Sequence, residues 1–211
     1  MSDAPPELHV KPSSAELTPG ETVGAGDPAL TLSELKLGAV LEIGAWPNRL
    51  EAVTEILATL CQADPPGRPG RFSQGEAALL GWLAFGRFLW LADDESDATR
   101  LDEALDTNDA AVVDLGSARR GVRLSGPAAI ATLNKEVAID FDPKAFPPGS
   151  LAQAVIDQVP VIILRRSDDS FDLLVSTSLA DSFLDWLRDA ASEFGYRVGD
   201  PVDRAVPAPS S

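Results

Sequence analysis

Three apolar stretches, Leu151–Ile156, Val159–Arg165 and Ser170–Val175, follow one another with only short polar breaks, such as Ser167, Asp168 and Asp169. Runs of this length and composition read as strands, and breaks this short join them as antiparallel hairpins. The same texture recurs upstream at Ala39–Ile43, Ala78–Leu83, Arg87–Leu91, Ala111–Leu115 and Gly121–Leu124. The chain is therefore committed to antiparallel sheet.

Helical spacing appears between these strands. Leu50, Val53, Leu57 and Leu60 recur at a helical period behind Asn48, with Glu51 placed to complete a capping box. Asp97–Asp106 predicts a shorter helix with an Asp cap and Leu101 and Leu105 one turn apart. The last helix opens at Ser178, buries Leu179, Phe183, Leu187, Ala190 and Phe194, closes at Gly195, and turns Asp181, Asp185 and Arg188 to water. Antiparallel hairpins interleaved with amphipathic helices define an α+β fold, with antiparallel sheets and helices packed on one face.

A short echo runs through the chain. Leu41–Pro47 leads into the Asn48 helix as Val122–Pro127 leads into Ala128–Leu133, and each unit continues into two apolar strands and a further helix. This predicts two related half-domains, residues 29–110 and 111–197, within a single domain. Residues 1–28 carry five prolines with Gly20, Gly24 and Gly26 and are expected to form a flexible arm; residues 198–211, with Pro201, Pro207 and Pro209, a flexible tail. Gly24, Ala25 and Gly26 follow no strand and form no dinucleotide fingerprint.

Charge and composition exclude several functions. A formal charge of −16 repels phosphate backbones and anionic lipid, so neither nucleic acid nor membrane is an expected partner. His9 is the only histidine and Cys61 the only cysteine, which rules out a Ser-His or Cys-His pair built on the core, a His/Cys zinc site and an internal disulfide. The N-terminal residues lack the basic and apolar regions of a secretory signal, and Ala77–Ala92 is broken by Arg87 and two glycines. A cytoplasmic location is expected.

Several separated blocks carry a resemblance: Val112, Val113, Asp114 and Leu115; Arg119 through Pro127 with its Leu124, Ser125, Gly126, Pro127 corner; Phe146, Pro147, Pro148, Gly149 and Ser150; Val159 through Leu164; and Phe171 through Leu187 with Asp172, Ser178, Asp181 and Trp186. In order and spacing these resemble the gamma subunit family of heterotetrameric sarcosine oxidases and, more remotely, the folate-binding fold of the glycine-cleavage aminomethyltransferases. The resemblance implies a non-catalytic subunit that assembles with alpha, beta and delta chains. Those partners would hold NAD, FAD, FMN and tetrahydrofolate while sarcosine is oxidatively demethylated to glycine, with hydrogen peroxide as product. No catalytic, cofactor-binding or metal-ligating residue is assigned to this chain.

The departures support the same reading. Where the aminomethyltransferases place an Asp in a glycine-rich turn, this chain has Gln158, Val159, Pro160, Val161, Ile162 and Ile163, without a carboxylate; after Asp114 the segment Leu115, Gly116, Ser117, Ala118 lacks histidine. Cys61 lies in no iron-sulfur motif. The alternatives are the gamma subunit of a related N-methyl amino acid dehydrogenase, a small adaptor, or a free-standing folate-binding methyltransferase-like protein. The last needs a buried carboxylate facing a cavity, for which Asp114, Asp140 and Asp172 are candidates. Candidate subunit contacts are Arg119, Arg120, Phe146, Pro147, Pro148 and Gly149, two arginines conspicuous in an acidic chain and one proline-braced loop. Leu124, Ser125, Gly126, Pro127 reads as a corner in which Ser125 caps, Gly126 takes an unusual backbone angle and Pro127 enters the first helical turn.

Overall fold

A computed structural model describes residues 16–24 and 26–204. In chain order the elements are β1 (Thr22–Val23), β2 (Leu30–Lys36), β3 (Val40–Ala45), α1 (Leu50–Cys61), β4 (Arg71–Gln74), β5 (Ala78–Ala84), β6 (Arg87–Ala92), α2 (Asp97–Ala104) and β7 (Ala110–Asp114). They continue as β8 (Arg119–Ser125), α3 (Ala129–Leu133), β9 (Leu151–Ile156), β10 (Val159–Ser167), β11 (Ser170–Ser176), α4 (Ala180–Ser192), β12 (Tyr196–Val198) and β13 (Val202–Asp203). Among the described residues no helix is long and apolar enough to cross a membrane.

The strands form an eight-stranded sheet, ordered β1-β12-β2-β8-β11-β10-β9 with β13 also on β2, and a five-stranded sheet, ordered β4-β5-β6-β3-β7. The alternation of side chains along each strand decides the layering. In β10, Val161 and Ile163 join the core under α3 and α4, whereas Ile162 and Leu164 meet Leu79, Leu89 and Leu91 of the smaller sheet. Leu41, Ile43, Leu80, Phe88 and Trp90 face the other way, beneath α1 and α2. Each sheet thus carries helices on one face and the other sheet on its second face, giving a helix–sheet–sheet–helix stack.

The halves are related through a reciprocal exchange. From β2 to α2, and again from β7 to α4, the order is strand, strand, helix, strands, helix. The lead strand of each half crosses to the other sheet: β2 pairs antiparallel with β8, and β7 with β3. The orders β4-β5-β6-β3-β7 and β9-β10-β11-β8-β2 therefore correspond position by position. The division read at 110/111 falls at the first residue of β7.

Local differences from expectation have simple causes. Asn48 is exposed and caps nothing; Arg49 occupies the cap position of α1 without a side-chain bond. Asp97 is the first helical residue of α2, buried, and accepts the Trp90 indole N–H at 3.0 Å. Ser178 lies in a 3₁₀ turn, Thr177–Leu179, its hydroxyl 3.0 Å from that of Ser176, so α4 starts two residues later than its sequence signal. Ser125 ends β8 and is buried, and α3 has no side-chain cap. Gly126 takes φ +122, as a corner requires.

The described parts of both ends pair with the larger sheet. Residues 198–204 run along β2: Val198 pairs with Leu32, Val202 with Leu35, and Arg204 is buried. The arm is held from Glu16 onward, where β1 pairs with β12 and Arg188 donates to the Glu16 carbonyl at 3.0 Å and to Glu21 at 2.7 Å. Arg188 is therefore half-buried against the arm while Asp181 and Asp185 face water. Expectations for residues 1–15, His9 included, and for 205–211 lie outside the described residues.

Candidate functional site

The layer between the sheets holds a polar cluster at one end. Arg123 and Asp172 pair across β8 and β11 and form a bidentate contact, Nε to Oδ1 at 2.6 Å and Nη2 to Oδ2 at 3.0 Å, with side chains 3% and 1% exposed. Arg166 approaches the same carboxylate at 3.6 Å, and donates to Gln74 at 2.7 Å and to the Arg204 carbonyl at 2.9 Å. Burial pulls the Arg166 guanidinium below its usual pKa, against the raising effect of Asp172. Arg204 reaches Asp93 at 3.2 Å and closes the cluster. Asp172 is therefore neutralised by two guanidinium groups. Of the other carboxylates that a methyl-transfer reading calls for, Asp114 is exposed and accepts Gly116 N at 2.8 Å, and Asp140 is exposed and accepts Asp142 N at 2.9 Å.

The candidate contact residues fall in separate places. Arg119 and Arg120 open β8 opposite Ser176 and Val175, half-buried, with Arg120 3.3 Å from Glu34 and 4.0 Å from Asp181. The proline loop sits beside Arg165, opposite Phe171, about 17 Å further along β11 at ~3.4 Å per residue. Arg165, 1% exposed, ties that loop to the β10–β11 turn, donating to the Phe141 and Phe146 carbonyls at 2.7 and 2.6 Å and to the Asp168 carbonyl at 2.7 Å. Phe146 is buried edge-on to Phe141. Gly149 donates to the Arg165 carbonyl at 2.9 Å and accepts Phe72 N at 2.9 Å, which stitches the larger sheet to β4 of the smaller one. Arg71 completes the joint through the Pro148 carbonyl at 3.1 Å. Pro147 is half-buried and Pro148 exposed. The loop is thus a joint between the sheets, presenting Pro148 outward.

Sequence reasoning missed Gln74 and Arg204, which close the polar cluster, and Phe85, 67% exposed at the β5–β6 turn. An aromatic beside Gly86 between two apolar strands was the available signal for Phe85, because such a position projects from a hairpin tip.

Cys61 is buried, and its Sγ donates to the Ala78 carbonyl at 3.2 Å. Desolvation pushes its thiol above the ordinary 9.0. Because the folded pKa is the higher one, the stability carried by the neutral thiol is complete below the unfolded value and is lost as pH rises through the folded value. Iodoacetamide at pH 8 is expected to leave Cys61 unmodified in native protein and to alkylate it fully in denaturant, read by intact mass.

The fold and cluster define a two-sheet α+β domain whose one buried candidate carboxylate is committed to arginines. Residues 70–193 match the sarcosine oxidase, gamma subunit family, and the chain belongs to that family. Similar proteins include the sarcosine oxidase subunit gamma of Corynebacterium sp. strain U-96, 30% identical over 81% of this chain and 83% of the relative. That of strain P-1 is 29% identical over 86% and 89%. Among solved structures, a heterotetrameric sarcosine oxidase from Corynebacterium sp. U-96 in complex with pyrrole 2-carboxylate superposes with TM-score 0.72 and 28% identity, covering 82% of this chain and 88% of the matched chain. The glycine cleavage system aminomethyltransferase T from Bartonella henselae shares the fold, with TM-score 0.60 and 16% identity over 82% of this chain and 48% of that one.

Proposed function

We propose that the chain works as the gamma subunit of a cytoplasmic heterotetrameric sarcosine oxidase, binding no cofactor itself and contributing assembly and stability. Its partners are the alpha, beta and delta chains, which carry FAD, FMN, NAD and tetrahydrofolate. The complex demethylates sarcosine oxidatively to glycine, passes the one-carbon unit to tetrahydrofolate and forms hydrogen peroxide. The observation that carries this reading is the superposition on a chain of a heterotetrameric sarcosine oxidase over 82% of this chain and 88% of the matched one. The commitment of Asp172 to Arg123 and Arg166 supports it, because a carboxylate so paired is a poor partner for a substrate amine. On the larger sheet, Arg119, Arg120 and Pro148 are the proposed contacts, with Phe146, Pro147 and Gly149 bracing Pro148 from within.

The test is a pull-down of the tagged chain from its native extract, with mass spectrometry and a flavin absorbance scan. Two larger yellow flavoproteins and a small fourth chain are the expected company. A colourless chain recovered alone and binding tetrahydrofolate would overturn the reading in favour of a free-standing folate protein.

A further inference from the structure

We infer that the end of the smaller sheet where β3 passes into α1 is a docking surface for a segment of a partner chain, one that carries an apolar anchor flanked by Lys or Arg. The inference rests on the assembly proposed above and specifies a surface within it.

Ala45 N donates to the Gly86 carbonyl at 2.7 Å, which sets the residue after β3 beside the β5–β6 turn. Trp46 and Phe85, the neighbours of that bonded pair, are 44% and 67% exposed. Trp46 is fixed in place, its indole N–H donating to the Thr107 carbonyl at 2.9 Å, so it loses little freedom on contact. Alongside, a groove of about 530 Å³ runs between α1 and β5, lined by Pro47, Leu50, Pro65 and Trp82 with Glu51 and Glu55 on its rim. Rigid aromatics beside an apolar groove are the usual anchors of a protein interface.

The charges choose the occupant. Two cations at this end are already engaged, Arg49 with Asp109 at 2.6 Å and Arg87 with Glu42. Glu51 and Glu55, one turn apart on α1, are exposed and have no ion-pair partner among the described residues. Two exposed glutamates along one side of an apolar groove repel anionic lipid and a second copy of a chain of net charge −16, and attract a basic segment with an apolar anchor.

The test uses the whole complex, purified through tagged chain variants with partner affinity measured at several salt concentrations. Phe85→Ser and Trp46→Ser are each expected to weaken partner binding about tenfold. The double change Glu51→Lys with Glu55→Lys should weaken it comparably at low salt and flatten the salt dependence. Val155→Ser, at a residue 60% exposed on β9 of the other sheet, should bind as wild type. Circular dichroism of each variant separates lost contacts from lost folding. Folded Phe85, Trp46 and Glu variants that hold partners as well as wild type overturn the docking surface while leaving the assembly reading intact. A wild-type chain that recovers no partner overturns both. A free chain that sediments as a dimer, and as a monomer once Phe85→Ser is introduced, assigns the face to a second copy and overturns the proposal as well.

Discussion

Replacing Asp172 by Asn is expected to destabilise the fold by about 3–5 kcal/mol, the cost of removing one partner from a buried ion pair. The substitution preserves size and shape, so packing is not the cause. It removes the charge that Arg123 holds at 2.6 and 3.0 Å and that Arg166 approaches at 3.6 Å, between sheets that exclude water from both side chains of the main pair. Two buried guanidinium groups then lose the carboxylate they share, and the new amide N–H groups point at donors. Urea denaturation followed by tryptophan fluorescence gives the loss. Adding Arg123→Met to the Asp172→Asn background removes one of the two buried positive charges and should return part of the stability, a non-additivity that two independent sites would not show. A loss under about 1 kcal/mol for the single change would mean that the pair is solvated and holds nothing together.

Gly126→Ala carries the second large effect, about 3 kcal/mol or more. The backbone there sits at φ +122, where a residue with a side chain is strained, and the new Cβ would overlap the Ala29 carbonyl oxygen, with Leu30 Cα also close. Relief by backbone movement is costly: Gly126 N donates to the Asp169 carbonyl at 3.0 Å, and Ala129 N donates to the Gly126 carbonyl at 2.9 Å. The corner therefore ties the entrance of β2, the β10–β11 turn and the start of α3 to one small residue. Gly67→Ala, where an added Cβ meets nothing within 4 Å and φ is not positive, is the internal comparison and should stay within ~0.5 kcal/mol of wild type. Equal melting curves for the two variants would contradict the account of the corner.

The strands with long apolar runs were legible because their burial is continuous. β9 was read residue for residue, and β5, β6, β10 and β11 to within a residue or two. β2 was missed although it is among the most buried strands: Ser33, Glu34 and Lys36 dilute its pattern, yet Ser33 is buried opposite Arg123, so a polar residue there serves the interior. The short strands β1, β12 and β13 carry no periodicity to read; β12 and β13 form on the edge that β2 offers and β1 adds to β12, which is a property of the assembled sheet. Asn48, Ser125 and Ser178 have the right capping chemistry near each helix start, yet none of these helices has a side-chain cap bond.

The candidate site was legible in kind and not in place. Arginines stand out in so acidic a chain, and Arg120 pairs with Glu34 and Asp181 of its own chain. Nothing in the sequence says that Arg165 faces the Phe146 loop, or that Arg166, its neighbour on the same strand, turns into the layer between the sheets. Strand alternation sends adjacent residues to opposite faces, and which face is which depends on where the second sheet lies. The exchange of β2 and β7 between halves likewise requires both halves to be present.

Assembly is the central claim, and it is tested most directly by expressing the alpha, beta and delta chains with and without this one and following the flavin-containing complex. The account predicts that omission lowers the yield and melting temperature of the intact complex, and that adding the purified chain restores both without changing the bound flavin spectrum. A complex of unchanged yield, stability and sarcosine-oxidising activity in its absence would contradict it.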